Sequence, residues 1–312
     1  MRTVFFGSPA AALPSLQALL DAGHSVELVV TQPDKPAGRG RRLSPSAVKA
    51  FAFERGIPVI EPAKIRTDEA ARERILAARP DVGVVVAYGQ IIPNAIHALP
   101  PKRSLNVHFS LLPKYRGAAP VQWTVLNGDA ESGVTVIELN DRMDEGDILA
   151  VERVPVGPRE TALALESRLA ALGAGLLVDT LARIDSVPRL AQDHALATLA
   201  PKIRKEDGRA AWADPAVTVD RKVLALADRP GVFTFFKGKR VGIVRGRVAE
   251  PDPPAAAAPP GLVLAVGPAG VTVACGAGSA YLVETVRPEG RADMAARAFS
   301  LGARIVPGDI VG

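Results

Sequence analysis

Along the first 110 residues the apolar positions fall in short continuous runs rather than in alternation. TVFF (Thr3–Phe6), SVELVVT (Ser25–Thr31), IPVI (Ile57–Ile60), DVGVVVAY (Asp81–Tyr88) and SLNVHF (Ser104–Phe109) have the pattern of strands buried on both faces, which is the pattern of a parallel sheet. Between them Pro9–Ala22, Ser46–Gly56 and Thr67–Arg79 have helical spacing; the last opens with Thr67 as its expected N-cap and with Asp68 and Glu69 in the first turn. TVIEL and ILAVERVPV add strands, and Thr161–Ile184 reads as a long helix with Leu165, Leu169, Leu172, Leu176 and Leu177 toward the sheet. Strand and helix alternating in this way predict a doubly wound, mostly parallel Rossmann-like α/β domain, which binds ligands beyond the C-terminal ends of its strands.

After residue 200 the pattern changes. PKIRKEDGRAAW (Pro201–Trp212) is charged and irregular, Val217–Leu226 is helical, and GVFTFF, KRVGIVRGRV, GLVLAV, GVTVACG and AYLVETV are short strands divided by Gly and Pro. This spacing predicts a small barrel. The expected organisation is a catalytic domain over 1–200, a linker over 201–212 and a smaller domain over 213–312, with PDPPAAAAPP (Pro251–Pro260) as an exposed loop between strands.

Composition narrows the class. The chain has 312 residues, 48% hydrophobic and 23% charged, with no apolar run of the roughly 18 residues that span a bilayer. Its start runs directly from Arg2 into a strand, and the expectation is a cytoplasmic, non-membrane protein and a monomer. The single cysteine, Cys275, lies in a strand-like segment and reads as a buried thiol. Residues 1–200 hold 22 Lys+Arg and 22 Asp+Glu, whereas 201–312 hold 16 and 11. The surplus of positive charge therefore lies in the last third, where it suits a polyanion or an ordinary solvated face.

The chemistry concentrates in NVHFSLLPKYRG (Asn106–Gly117). Asn106 and His108, at i and i+2, share one face near the end of a buried strand. An amide and an imidazole so placed can donate to a developing oxyanion and handle a proton, as acyl transfer requires; the alternative is a satisfied core histidine. Downstream, NDRMDEGDILAV offers Asp144 and Asp147 around Gly146, a carboxylate source that could orient an imidazole. No metal site is expected, because only acidic groups are supplied there. Gly7-Ser8-Pro9 after the first strand lacks the glycines of a dinucleotide fingerprint.

NVHFSLLPKYRGAAPVQW followed by MDEGDIL resembles the folate-dependent formyltransferases, and the resemblance extends through TQPDKPAGRGRRLSPSAVKAFA, VVVAYGQIIP, GDAESGVTV and PKIRKEDGRAAW to a last strand before VPGDIVG. It implies Asn106, His108 and Asp144 as the catalytic set, with 10-formyltetrahydrofolate as co-substrate. It further implies Ser110, Leu111, Leu112 and Pro113, with Gly89, Gln90 and Ile91, as the folate contacts, the turn Asn140–Asp144 as another wall of that pocket, and an OB-like C-terminal barrel. Two departures stand out: Phe109 replaces a small residue or proline, and ADRPGVFT replaces an Asn-Pro-Trp-Pro piece.

Two basic stretches point to the branch of this family that acts on methionyl initiator tRNA. One loop runs from Lys35 to Lys49 without an acid and carries Arg39, Arg41 and Arg42; KGKRVGIVRGR holds Lys237, Lys239, Arg240, Arg245 and Arg247. Arginines on such a loop can contact phosphates or base edges, and barrel strands of this charge bind nucleic acid. A formyltransferase acting on amino-sugar nucleotides and a non-enzymatic RNA-binding or folate-sensing protein are the rival readings.

Overall fold

The computed structural model describes residues 1–37, 42–249 and 258–312. It divides into two compact units: Met1–Pro120, Ala130–Val156 and Ala164–Pro201 form the first, and Val121–Asp129, Gly157–Leu163 and Lys202–Gly312 the second.

The main sheet of the first unit contains β1 (Arg2–Gly7), β2 (Ser25–Val30), β5 (Val59–Ile60), β6 (Val82–Val86), β7 (Ser104–His108), β9 (Glu131–Glu138) and β10 (Ile148–Pro155). Its order is β10-β9-β7-β6-β1-β2-β5. The five strands from β5 to β7 are parallel, and β9 and β10 extend the sheet antiparallel beyond β7. The chain thus proceeds from β1 to one edge and returns to the other side of β1, so strand order reverses between β1 and β6. Two short pairs lie outside this sheet: β3 (Lys35–Ala37) with β4 (Arg42–Ser44), antiparallel, and β8 (Arg116–Gly117) with β11 (Leu199–Ala200), parallel.

Helices α1 (Leu13–Asp21), α2 (Ala47–Glu54), α3 (Glu69–Ala77) and α4 (Asn94–His97) connect the strands. The N-cap of α3 is Asp68 rather than Thr67: the Asp68 carboxylate accepts from Ala71 N–H at 2.9 Å, while Thr67 ends a preceding 3-10 turn. A carboxylate takes that position well because it also meets the positive end of the helix dipole. One core of the unit gathers Val4, Phe6, Leu28, Val30, Ile65, Ile75, Val85, Tyr88, Ile92 and Ile96. Helix α5 (Pro120–Asn127) precedes β9, and α6 (Ala162–Ala182) follows β10. Leu165, Leu169, Gly173, Leu177 and Leu181 of α6 are buried at intervals of four, one face of a helix. Each of those leucines contributes about 2 kcal/mol by leaving water. A Cβ on Gly173 would lie 2.7 Å from Val107 and 3.2 Å from Val134, so glycine here sets how closely α6 approaches β7 and β9.

The second unit contains α7 (Ala216–Leu226) and β12 (Val232–Phe236), β13 (Lys239–Val248), β14 (Val263–Gly267), β15 (Gly270–Ala274), β16 (Ala280–Pro288) and β17 (Met294–Ala295), ending with α8 (Ala296–Ala303). All strand pairs are antiparallel, in the order β12-β13-β16-β15-β14, with β17 on β16. Here the strands alternate: Val232, Thr234 and Phe236 point inward while Phe233 and Phe235 are partly exposed. The core lies on the inner face with Trp212, Val241, Ile243, Val273 and Val286, and Trp212 Nε1–H donates to Thr234 Oγ1 at 2.9 Å. After β16, the last long strand before Val306–Gly312, come the two-residue strand β17 and then helix α8. Residues 251–257 of the Pro/Ala-rich stretch lie outside the described residues. Cys275 is buried just after β15, and burial pushes its thiol up to about 12.

Candidate active site

β7 is flanked by β6 and β9, so its backbone is paired on both sides. Val107 faces Gly173 of α6, and Phe109 reaches the same helix, its ring 3.5 Å from where a Cβ on Gly173 would stand. Because side chains alternate along a strand, Asn106 and His108 project from the opposite face. The unusual Phe109 thus packs away from the polar pair, and all three residues are buried.

After His108 the chain folds back on itself. Thr135 Oγ1 donates to the Ser110 carbonyl at 2.7 Å and accepts from Leu112 N–H at 3.1 Å, and Ser110 Oγ donates to the Lys114 carbonyl at 2.6 Å. Leu111 lies over Gly133 of β9, where a Cβ would stand 2.4 Å from its Cδ2. The polar groups of Ser110 and the N–H of Leu112 therefore serve the turn itself, and Pro113 follows through a cis peptide bond. Tyr115 then takes a left-handed conformation, φ +63°, and Gly117 one at +128°, where a Cβ would meet the Ala200 carbonyl at 2.6 Å.

The turn between β9 and β10 brings in the carboxylate. Glu138 N–H donates to the Asp147 carbonyl at 2.9 Å, and Gly146 fits against Glu138 where no Cβ has room. Asp144 is left-handed at φ +56°. Its Oδ2 accepts from Gly117 N–H at 2.8 Å, and its Oδ1 lies 3.4 Å from Asn106 Nδ2 and 3.7 Å from His108 Nδ1. Of the two carboxylates the sequence offered around Gly146, Asp144 is the one that meets the strand. His108 Nε2 lies 2.9 Å from the Tyr115 carbonyl. A carbonyl only accepts, so Nε2 carries the proton and Nδ1 faces the carboxylate.

The remaining sequence-predicted positions separate clearly. Gln90 Oε1 accepts from Ile65 N–H at 2.9 Å and its Nε2 donates to the Pro62 carbonyl at 3.1 Å, so it pins the 62–65 segment. Gly89 is left-handed and exposed, and Ile91, 59% exposed, is an apolar side chain displayed beyond the C-terminal end of β6. Met143 is similarly displayed, 54% exposed, next to Asp144. Arg39 and Arg41 lie outside the described residues, and Arg42 is described only as backbone, paired with Ala37. Lys49 of the same stretch is held by Asp34 at 2.8 Å and Glu61 at 2.7 Å; these partners raise its pKa above the ordinary lysine value.

In the second unit Lys237 and Gly238 are both left-handed, the two-residue turn that suits a twisted hairpin, and they display Lys237, Lys239 and Arg240 to solvent. Arg240 stacks 4.1 Å from the Phe233 ring centroid and Lys237 lies 4.9 Å from that of Phe236. Arg245 and Arg247, in contrast, are both paired with Glu284, at 3.0 and 3.2 Å. The basic run is therefore without a carboxylate partner at its tip among the described residues, while farther along β13 a single carboxylate, Glu284, engages both arginines.

Sequence reading did not single out the side chains that support Asp144. Buried Arg116 donates to Gln192 Oε1, and Gln192 Nε2 donates to the carbonyls of Asp144 and Gly146, both at 2.8 Å. Arg116 is at least visible in the Arg-Gly of the motif; Gln192 sits in a polar connection with no local signal. Among the described residues no group of three or more His, Cys, Asp or Glu is placed to hold a metal ion, and no helix is long and apolar enough to cross a membrane.

The family model described as formyl transferase matches residues 1–181, and the formyl transferase C-terminal domain matches 202–304. The chain is 43% identical over 316 residues to a methionyl-tRNA formyltransferase of Solibacter usitatus, covering 100% of this chain and 99% of the relative. It is 40% identical to one from Geobacter sulfurreducens, covering 100% of this chain and 97% of the relative. Among solved structures, the N-formyltransferase from Helicobacter canadensis in complex with folinic acid and dTDP-3-aminofucose shares the fold, with a TM-score of 0.64 at 17% identity over 90% of this chain and 98% of that one. With both domain models matched in order and relatives aligned from end to end, the chain belongs to the formyl transferase family.

Proposed function

We infer that the chain transfers the formyl group of 10-formyltetrahydrofolate to the α-amino group of methionyl initiator tRNA. The observation that carries this reading is the amide, imidazole and carboxylate gathered at the C-terminal end of β7 in a chain 40–43% identical, end to end, to methionyl-tRNA formyltransferases. The donor set fits the formyl group: Asn106 has an amide N–H whose one long bond to Asp144 leaves it able to turn toward a carbonyl oxygen. When bound, the folate supplies the electrophilic formyl carbon and the N10 that leaves it.

In this mechanism the methionyl amine forms its bond to the formyl carbon, and the bond from that carbon to N10 breaks. Asn106 donates to the oxygen on which negative charge grows; such a donor contributes about 3 kcal/mol to transition-state stabilisation. His108, fixed through Nε2 by Tyr115, keeps Nδ1 toward Asp144 Oδ1. A proton taken up on His108 Nδ1 faces the Asp144 carboxylate across 3.7 Å as an ion pair. That pair receives the proton released by the attacking amine and returns one to N10, so formylmethionyl-tRNA and tetrahydrofolate leave with the site unchanged. Ser110–Pro113 and Gly89–Ile91 line the folate, with Ile91 and Met143 offering apolar surface to the pteridine.

The finer assignments belong to the same reading. The curled antiparallel sheet of the second unit is OB-like, Lys237, Lys239 and Arg240 contact tRNA phosphates, Arg39, Arg41 and Arg42 reach the acceptor end, and the enzyme acts as a cytoplasmic monomer with residues 1–200 as its catalytic domain. The test is formylation of methionyl initiator tRNA by the purified chain with 10-formyltetrahydrofolate, alongside a dTDP-amino sugar as acceptor. Turnover of the tRNA alone supports the assignment; turnover of the sugar alone retains the chemistry and overturns the acceptor.

A further inference from the structure

The Asp144 turn is held from beneath by a buried polar couple. Gln192 and Arg116 are 6% and 5% exposed. Gln192 Nε2 spends both hydrogens on the Asp144 and Gly146 carbonyls, each at 2.8 Å, and Gln192 Oε1 accepts from Arg116 Nε at 3.1 Å and Nη2 at 2.7 Å. The amide orientation is unambiguous, since a reversed group would place its oxygen against two carbonyls and its N–H groups against a guanidinium. Arg116 completes its fork with Glu145 at 3.3 Å and His194 Nδ1 at 3.1 Å.

The couple is joined to the reacting groups by the shortest possible piece of chain. Tyr115, immediately before Arg116, presents the carbonyl that fixes His108, and Gly117, immediately after it, presents the N–H that holds Asp144 Oδ2. Asp144 itself occupies a left-handed conformation, φ +56°, which aspartate tolerates better than most side chains but which still disfavours a non-glycine residue. Without the two bonds from Gln192, nothing else among the described hydrogen bonds holds the Asp144 carbonyl.

We propose that Gln192, itself aligned by Arg116, is a positioning residue for formyl transfer: it holds the Asp144 backbone so that the carboxylate stands between Asn106, His108 and Gly117. This rests on the formyl-transfer reading above. Gln192 touches no reacting atom in this scheme, and its removal acts on turnover rather than on substrate binding.

The test compares the full-length wild type, Gln192→Leu, Gln192→Glu, Asp144→Ala and Asp144→Ala/Gln192→Leu in formylation of methionyl-tRNA, with thermal melts of each. Gln192→Leu should lower kcat about 100-fold, with KM for tRNA and folate within about threefold. In the Asp144→Ala background the same substitution should change kcat less than about twofold, since groups that act through one another are non-additive. Multiplicative losses, or a loss confined to KM, would overturn the proposal. So would loss of the cooperative melt in both Gln192 variants, which makes the residue a folding element. An inactive wild type counts against the functional reading alone. The placement of Asp144 is then decided by hydrogen exchange at the Gly117 amide, which should quicken at least tenfold in Gln192→Leu; unchanged exchange sinks it.

Discussion

The two charged regions of this molecule use their charges in opposite ways. Around Asp144 in the first unit the side chains are buried or half-buried and turned on one another: His108, Asn106, Arg116, Glu145 and Gln192 form a connected network. At the β12–β13 tip of the second unit Lys237, Lys239 and Arg240 are exposed, and no carboxylate partner is found for them among the described residues. Desolvated groups satisfied within the fold have fixed positions, which chemistry needs; solvated cations without partners keep their charge available to a polyanion. The difference teaches that basic composition alone does not identify a binding surface. Lys49, Arg245 and Arg247 are as positive in sequence as Lys237, yet Asp34, Glu61 and Glu284 have already engaged them.

The strongest way to break the comparison is within the network. His108→Ala and Asp144→Ala should each lower kcat by about 10³, with the melting temperature within a few degrees of wild type, because the losses fall on transition-state groups. Single-turnover formylation checks this, and near-normal rates would remove the network from the chemistry.

Next in size is the packing that carries it. Gly173→Ala places a methyl 2.7 Å from Val107, the neighbour of both Asn106 and His108. Overpacking of this kind costs about 1–3 kcal/mol, measurable in urea, and a drop in kcat should accompany it.

At the hairpin tip, replacing Lys237, Lys239 and Arg240 together by Ala should raise KM for tRNA about tenfold at low salt and flatten its dependence on salt, leaving kcat intact. Arg245→Ala/Arg247→Ala, the paired arginines, is the control and should change KM by less than about twofold. Equal effects would erase the distinction between engaged and available charge.

The smallest effect concerns a buried thiol. Burial raises the Cys275 thiol from its ordinary value near 9 to about 12, and burial raises the phenols of Tyr88 and Tyr281 as well. These groups remain neutral in the folded chain at a pH where the unfolded chain ionises. Their contribution is therefore complete below about pH 9 and is lost as pH rises toward 12. Urea midpoints between pH 8 and 11 should fall, and Cys275→Ala should reduce the slope.

Local pattern made much of this protein legible. Continuous apolar runs specified the parallel strands because a strand buried on both faces has no polar side to display, whereas the strands of the second unit were marked by the Gly and Pro that divide them, and the in-out alternation of Val232–Phe236 emerged only in the fold. The i, i+2 spacing of Asn106 and His108 put them on one face for the same geometric reason. Short elements near turns were harder to read: Asp68 displaced Thr67 as a cap, and α8 was not singled out at all, because a helix eight residues long gains its stability from the sheet it packs on rather than from its own sequence.

What the sequence by itself determined was therefore the alternation of elements and the polar pair at the end of β7, while the glycines that let chain meet chain, such as Gly173, were recognised only in the fold. Spacing alone left Asp144 and Asp147 open and the family resemblance chose Asp144; only the tertiary structure decided how that carboxylate meets the pair, which nitrogen of His108 faces it, and which cations remain available. Gln192 lies 48 residues from Asp144, and it holds that turn through the backbone carbonyls of Asp144 and Gly146. Such a bond depends on where the chain passes, not on what side chain it carries there, and no spacing along the sequence encodes it.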